Sequence, residues 1–289
     1  MENFIYRKIK LIYKTIYDTK LPAEEKKDKS RKKNDLIDYA ESEVIEWKKN
    51  ISREMTKQKQ MENYRKEFLG NVFHELKTPI FNIQGYLETL VDGGIKDDEV
   101  NIKFLKKARK NVNRMAEIVD DLQMISNLED GSFALSMKKI DITKMVSEIL
   151  EQHELRAGKK DIKLEIKEGC DKSFMVLVDR ELILQVLNNL VTNSIKYGKG
   201  GGRTQVGIYD MNENILVEIS DNGIGIEQKH LPRIFERFYR VDNARSREMG
   251  GSGLGLSIVK HIIEAHHQTI NVRSAPGVGT TFGFTLKKA

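Results

Sequence analysis

Phe68-Leu69-Gly70-Asn71-Val72-Phe73-His74-Glu75-Leu76-Lys77-Thr78-Pro79 is the stretch from which the remainder of the chain can be interpreted. Its residues Phe73 and Leu76 belong to an apolar stripe of helical period that continues through Ile80, Ile83, Leu87 and Leu90. His74 and Glu75 lie off the centre of that stripe, so the imidazole is expected to face solvent. A neutral imidazole is a competent nucleophile near pH 7, and an adjacent carboxylate can fix its tautomer and raise its basicity. Thr78 sits one helical turn beyond His74 on the same face. Pro79 removes a helix hydrogen bond, which predicts a kink just after the site. A lone helical histidine is more often structural than reactive; its neighbours make this one a candidate.

Working outward, Asp92-Gly93-Gly94 is a turn signal that ends the helix. A second helix follows, with Phe104, Leu105, Ala108, Val112, Met115, Ile118, Val119, Leu122 and Ile125 on its apolar side, stopping near Asp130-Gly131. An isolated helical hairpin cannot bury both stripes, so two copies are expected to pair as a four-helix bundle in a homodimer. Ahead of the hairpin, Ile37, Ala40, Val44, Trp47 and Ile51 alternate spacings of three and four, the seam of a coiled coil. The pattern runs on less cleanly through Met55, Met61, Tyr64 and Phe68, as a stutter would produce.

Residues 1–35 hold eleven basic and six acidic side chains, a net +5 out of the chain's +6. The near-neutral remainder argues against nucleic-acid binding. Ile5, Ile9, Ile12 and Ile16 share a helical stripe beside Arg7, Lys8, Lys10 and Lys14. That arrangement fits an anionic membrane surface and the solvated start of a coiled coil equally well. At 289 residues the chain has room for about two domains. No run approaches the ~18 apolar residues of a membrane span, and the first residues lack the pattern of a secretory signal. The single cysteine, Cys170, excludes a disulfide framework and favours a reducing compartment.

From about Ile140 the hydrophobic period alternates between two and 3.6. Helices are predicted over 143–156, 180–197 and 254–265, and strands over 162–166, 174–178, 205–209, 215–220, 269–273 and 281–286. Helices and strands do not alternate strictly, so the expected class is α+β: a helical hairpin followed by a two-layer α/β sandwich.

Three strings in this region carry chemistry. In Asn188-Asn189-Leu190-Val191-Thr192-Asn193-Ser194-Ile195-Lys196-Tyr197, at a predicted helix end, Asn189 and Asn193 share a face and Lys196 follows nearly a turn later. Amide oxygens suit Mg²⁺ held mainly through phosphates, and a neighbouring lysine can neutralise phosphate charge. Asn-x-x-x-Asn alone is as readily a polar helix face. Asp221-Asn222-Gly223-Ile224-Gly225-Ile226 directly follows a strand. Its glycines let backbone approach a ligand, and its carboxylate can accept from an exocyclic amine; by itself it is more often a turn. Gly250-Gly251-Ser252-Gly253-Leu254-Gly255-Leu256-Ser257-Ile258-Val259-Lys260 is a glycine-rich loop opening a helix, which presents free N–H groups to phosphates. Without a preceding strand or a βαβ unit it is not a dinucleotide-binding fingerprint.

The string around His74 resembles the phosphoacceptor box of histidine kinases. The other three, in order, resemble the N, G1 and G2 boxes of the kinase ATP site. Arg233-Ile234-Phe235-Glu236-Arg237-Phe238-Tyr239-Arg240 resembles the F box between them. The resemblance covers about residues 52–286. It implies a sensor histidine kinase of a two-component system, with a dimerising hairpin and a Bergerat-type ATP-binding sandwich. His74 would be phosphorylated from ATP with Mg²⁺, Glu75 would assist as base, and Thr78 would position water in a phosphatase reaction. The phosphoryl group would pass to an aspartate on the receiver domain of a response regulator. The implied ATP contacts are Asn189, Asn193, Lys196, Tyr197, Asp221 (reading the adenine amino group), Gly223, Gly225, Ile226, Arg240, Gly251, Gly253, Leu254, Gly255 and Leu256. Asn193 would bind Mg²⁺, and residues 241–249 would form a lid over the nucleotide.

The implied divisions are a juxtamembrane-like arm (1–35), a coiled-coil signalling helix (36–66), a dimerisation and phosphotransfer domain (67–131) and an ATP-binding domain (138–289). A hinge is expected around residues 128–137, and the location implied is the cytoplasmic portion of an inner-membrane sensor. Phe73 departs from the usual small Ser and is read as a packing variation. His153, His230, His261, His266 and His267 make no sensible metal set and are read as structural or surface residues. Two rivals remain: a degenerate module that dimerises but transfers nothing, against which every expected polar residue is present, and a non-kinase ATPase of the same superfamily, against which stands the His74 string.

Overall fold

The computed structural model describes residues 33–129, 134–241 and 251–289. The basic arm with its Ile5 to Ile16 stripe lies outside these, as do Gly250, the central part of the expected hinge, and all of the expected lid but Val241. The side chains of residues 33–43 and 129, including seam positions Ile37 and Ala40, are also outside. The chain divides into two compact units at Leu69/Gly70. The described part of the first is the N-terminal portion of helix α1, whose full extent is Lys33–Val91. There Val44, Trp47, Met55, Met61 and Tyr64 of the coiled-coil pattern are exposed.

The second unit begins with the rest of α1. The helix runs uninterrupted through Pro79, where the carbonyl of Glu75 loses the N–H it would otherwise accept. A 3₁₀ turn at Gly94–Lys96 leads into α2, Asp98–Glu129. Asp97 caps α2, its Oδ1 accepting from Glu99 N at 3.0 Å and Val100 N at 3.2 Å. Leu90, Ala108, Ile118 and Ile125 are buried, and the Tyr86 and Phe104 rings meet at 5.4 Å. The apolar stripes are wider than the in-chain contact can cover. Phe73, Ile80 and Leu87 on α1, and Leu105, Val112 and Val119 on α2, form two exposed rows at heptad spacing. Phe73 is therefore not part of the stripe buried within the chain: at 68% exposed it stands on the uncovered row.

The α/β part comprises β1 (Met137–Asp141), α3 (Ile142–Gly158), β2 (Lys163–Ile166), β3 (Met175–Asp179), α4 (Arg180–Tyr197), β4 (Arg203–Met211), β5 (Asn214–Asp221), α5 (Gly255–Ala265), β6 (Ile270–Ala275) and β7 (Gly279–Lys287). A five-stranded sheet has the order β2-β4-β5-β7-β6, parallel only between β2 and β4. Ile215, Val217 and Ile219 of β5 alternate inward at no more than 1% exposure, and Phe282, Phe284 and Leu286 of β7 are likewise buried. They face α3, α4 and α5, which cover one side of the sheet, giving the two-layer α+β sandwich expected.

One strand escaped the sequence reading. β1 pairs antiparallel with β3 in a separate ribbon, with Lys139 opposite Leu177; Lys138 and Lys139 at its centre mask any strand signature. The residues just before it are fastened down, since Ser136 N donates to Asp179 Oδ2 at 2.9 Å. Asp179 also caps α4, accepting from the amides of Glu181 and Leu182, while its own N–H donates to His266 Nε2 at 3.0 Å.

Phe284 has no exposed surface and pairs with Val217 and Ile270 across the middle of the sheet. Phe284→Ala should cost about 3–5 kcal/mol and lower the thermal midpoint by on the order of 10 °C. Calorimetry on the purified chain measures both.

Candidate functional site

The site forms where the end of α4, the loop after β5 and the glycine-rich loop before α5 converge. Each loop is held by backbone bonds. After β5, Ile224 N donates to Tyr197 O at 3.2 Å and Gly277 N to Ile224 O at 2.7 Å. Gly225 has φ +70°, and a Cβ there would collide with the backbone of Ala275, so only glycine fits. Ile226 N donates to Ser274 Oγ at 2.8 Å. Asp221 Oδ1 accepts from Gly223 N at 2.8 Å and Thr280 N at 3.3 Å. Burial pushes its carboxyl up, against the lowering effect of those two bonds.

The glycine-rich loop is fixed at Gly253, whose carbonyl accepts from Phe238 N at 3.0 Å. With φ +77°, a Cβ on Gly253 would stand 2.9 Å from the Phe238 backbone. Phe238 itself has φ +61°, a conformation that costs a bulky residue energy. Leu254 is buried at the start of α5, and its N–H donates to Ser252 Oγ at 3.2 Å.

The loop passes close to α4: a Cβ on Gly255 would come within 3.1 Å of Asn189 Oδ1, and one on Gly251 within 2.7 Å of Lys196 Nζ. Asn189 and Lys196 thus meet the loop that carries Gly251, Gly253, Gly255 and Leu256, with Asn193 and Tyr197 on the same last turns of α4. Asp221, Gly223, Gly225 and Ile226 lie across the α4 terminus from it. Asn188 turns the other way, its Oδ1 2.7 Å from His153 Nε2. His230 Nδ1 lies 2.6 Å from the Tyr239 hydroxyl.

Lys196 Nζ stands 5.1 Å over the Tyr197 ring. Burial, and then the charges of Arg240 and Arg114, pull its ammonium down to about 8. A half-buried cation crowded by cations is suited to an anionic ligand, which would restore its charge.

His74 is exposed on α1, and the Thr78 hydroxyl donates to its backbone carbonyl at 3.3 Å. Glu75 turns toward the nucleotide loops: its Oε2 accepts from Arg114 Nη2 at 2.9 Å and from Arg240 Nη2 at 3.0 Å. Both arginines also donate to Gly251 O, Arg114 at 3.4 Å. Nearby, Ser252 Oγ donates to Asp121 Oδ2 at 3.3 Å, and burial pushes that carboxyl up to about 6. Arg114, Asp121 and Ser252 were not among the site residues expected from sequence. Arg114 and Glu75 are 39 positions apart and share no motif; only the hairpin register joins them.

A hairpin carrying an exposed histidine thus lies beside a glycine-rich loop of the kind that receives phosphate. Both parts match known families. Residues 64–131 match the His Kinase A (phospho-acceptor) domain, and residues 178–289 match the histidine kinase-, DNA gyrase B- and HSP90-like ATPases. The chain is 37% identical to the sensor protein kinase WalK of Staphylococcus aureus over 82% of its length, which is 57% of that protein. The chain therefore spans little more than half the length of this relative. Among solved structures it resembles the Acinetobacter baumannii histidine kinase AdeS, with TM-score 0.61, 28% identity and coverage of 74% of this chain and 98% of that one. It shares its fold with histidine kinase ThkA, solved in complex with response regulator protein TrrA, at TM-score 0.60 and 23% identity, over 77% of this chain and 61% of that one. The chain belongs to the sensor histidine kinases, and its second domain is an ATP-binding domain.

Among the described residues no helix is long and apolar enough to cross a membrane.

Because Lys196 gives up its proton near pH 8, polyphosphate binding above that pH must take a proton back. Affinity for a non-hydrolysable ATP analogue should fall by up to roughly tenfold per pH unit above the break. Lys196→Ala should bind more weakly at neutral pH and lose the break. Fluorescence titration across this range tests both.

Proposed function

We propose that the chain phosphorylates its own His74 from ATP and passes the phosphoryl group to an aspartate on the receiver domain of a response regulator. The observation that carries this reading is Glu75, the residue after His74, hydrogen-bonded to Arg240 from the far side of the nucleotide loops. The nucleophile's neighbour is within side-chain reach of the groups that would hold phosphate.

In the proposed site the adenine amino group donates to Asp221 while Gly223, Gly225 and Ile226 line the base. Asn189, Asn193, Lys196, Tyr197 and Arg240 surround the ribose and phosphates, and the backbone from Gly251 through Gly253, Leu254, Gly255 and Leu256 cradles them. The imidazole of His74 attacks the γ-phosphorus, an N–P bond forms as the bond to the bridging oxygen breaks, ADP leaves, and Glu75 accepts the imidazole proton. The donor set fits Mg²⁺ carried in by the nucleotide. Asn189 and Asn193 offer neutral amide oxygens, and among the described residues no three His, Cys, Asp or Glu gather to cage a metal. When bound at Asn193, Mg²⁺ would neutralise charge on the phosphates.

The two exposed heptad rows of the hairpin support a homodimer in which they become the centre of a four-helix bundle. The domain divisions given above, the reducing cytoplasmic setting and a membrane-facing role for the basic arm belong to the same proposal; the arm's net charge of +5 supports the last. The docked contacts of Glu75 must open for His74 to meet the phosphate, so the segment around 128–137 would serve as the hinge.

His74→Gln should reduce acid-labile, base-stable label from γ-labelled ATP to background, with nucleotide affinity within about threefold of the parent. Label persisting in that variant would remove His74 from the reaction, and free phosphate without protein label would point to a simple ATPase.

Thr78 gives a second test. Thr78→Ala should keep most autokinase activity and lose most phosphatase activity toward a phosphorylated regulator, since a hydroxyl can orient water without being the nucleophile. Its bond to the His74 carbonyl offers a competing role in supporting the helix, under which both rates fall together.

A further inference from the structure

We propose that Arg114 is a positioning residue for the phosphotransfer step, holding the Glu75 carboxylate beside His74 once the nucleotide phosphates have drawn Arg240 away. The inference rests on the reading of Glu75 as the base. A single oxygen of Glu75 accepts from two guanidinium groups, Arg114 Nη2 at 2.9 Å and Arg240 Nη2 at 3.0 Å. The two donors differ in where they are carried. Arg240 belongs to the nucleotide domain and is expected to bind phosphate, so domain movement and ATP both compete for it. Arg114 is on α2 of the same hairpin as Glu75, across the helix pair, so movement of the nucleotide domain does not by itself separate them. Losing Arg240 therefore leaves Arg114 as the partner that still fixes the carboxylate, through a charge-assisted bond of 2.9 Å within the hairpin.

A purely structural cross-helix pair would not need the rest of the arrangement. Arg114 Nε is buried without a hydrogen-bond partner among the described residues, a cost that a pairing arginine free to choose its rotamer would avoid. Its Nη2 also reaches Gly251 O in the glycine-rich loop at 3.4 Å. One group thereby touches both the base and the loop that would carry phosphate.

The test is a double-mutant cycle on the full chain, measuring autophosphorylation at saturating ATP and nucleotide affinity separately. Arg114→Gln should lower the maximal rate on the order of tenfold while leaving nucleotide affinity within about twofold. Arg114→Lys, which keeps charge and loses the fork, should recover part of the rate, and it carries the cycle if the Gln variant does not fold. In a Glu75→Gln background either Arg114 substitution should slow the reaction by less than about twofold further, since its target is gone. A full multiplicative loss in that background would overturn the proposal, as would loss of nucleotide affinity in place of rate. If Glu75→Gln is slow while Arg114→Gln and Arg114→Lys both run at the parent rate, this proposal alone falls. A normal rate for Glu75→Gln removes Glu75 as base and this inference with it.

Discussion

Backbone pressed on backbone at the mouth of the nucleotide site is the constraint from which the rest follows. The carbonyl of Tyr197 takes the amide of Ile224, and the carbonyl of Gly253 takes the amide of Phe238. These two bonds tie the loop after β5 and the loop before α5 to the last turn of one helix and to the segment that ends in Arg240. A side chain at Gly225 or Gly253 would force them apart. Because the backbone is committed there, Asn189 and Lys196 need only project from regular helical positions to meet the glycine-rich loop. Strain is accepted in the same place: Phe238 is held in a left-handed conformation, two residues before the buried Arg240.

The second feature that organises the molecule is electrostatic. Arg240 is 9% exposed and Glu75 23%, so their pairing is shielded from water. Desolvating such charges is costly, and the gain comes from hydrogen-bond geometry that satisfies both groups. One carboxylate oxygen between two guanidinium groups leaves positive charge in excess, and Lys196 nearby adds to it. An excess of this kind is poorly explained as stabilisation of the fold. It is well matched to a ligand that brings several negative charges.

Much of this was legible from residues alone because the nucleotide strings are local. Asn189 and Asn193 are a turn apart, and glycine clusters announce close approach wherever they occur. The sandwich was equally readable, since β5 and β7 alternate cleanly between an apolar face and a polar one. What could not be read were the pairings set by tertiary register. β1 has two lysines at its centre and owes its existence to β3, and Arg114 meets Glu75 only because two helices pack at one offset. The heptad row containing Phe73 is apolar by sequence, but whether such a row lies inside one chain or between two is decided by the width of the partner helix, not by the row.

Docking the hairpin on α5 also has a thermal consequence. Ile118 and Ile125 are 1% exposed, with Leu76 and Leu122 packed against the same apolar cluster, and each isoleucine contributes about 2 kcal/mol by burial. Separating such surfaces exposes apolar area and carries a positive heat-capacity change, so the docked state draws its strength from an interaction that weakens on cooling. The same four side chains that pack the hairpin against the α/β part therefore make the strength of that contact a function of temperature.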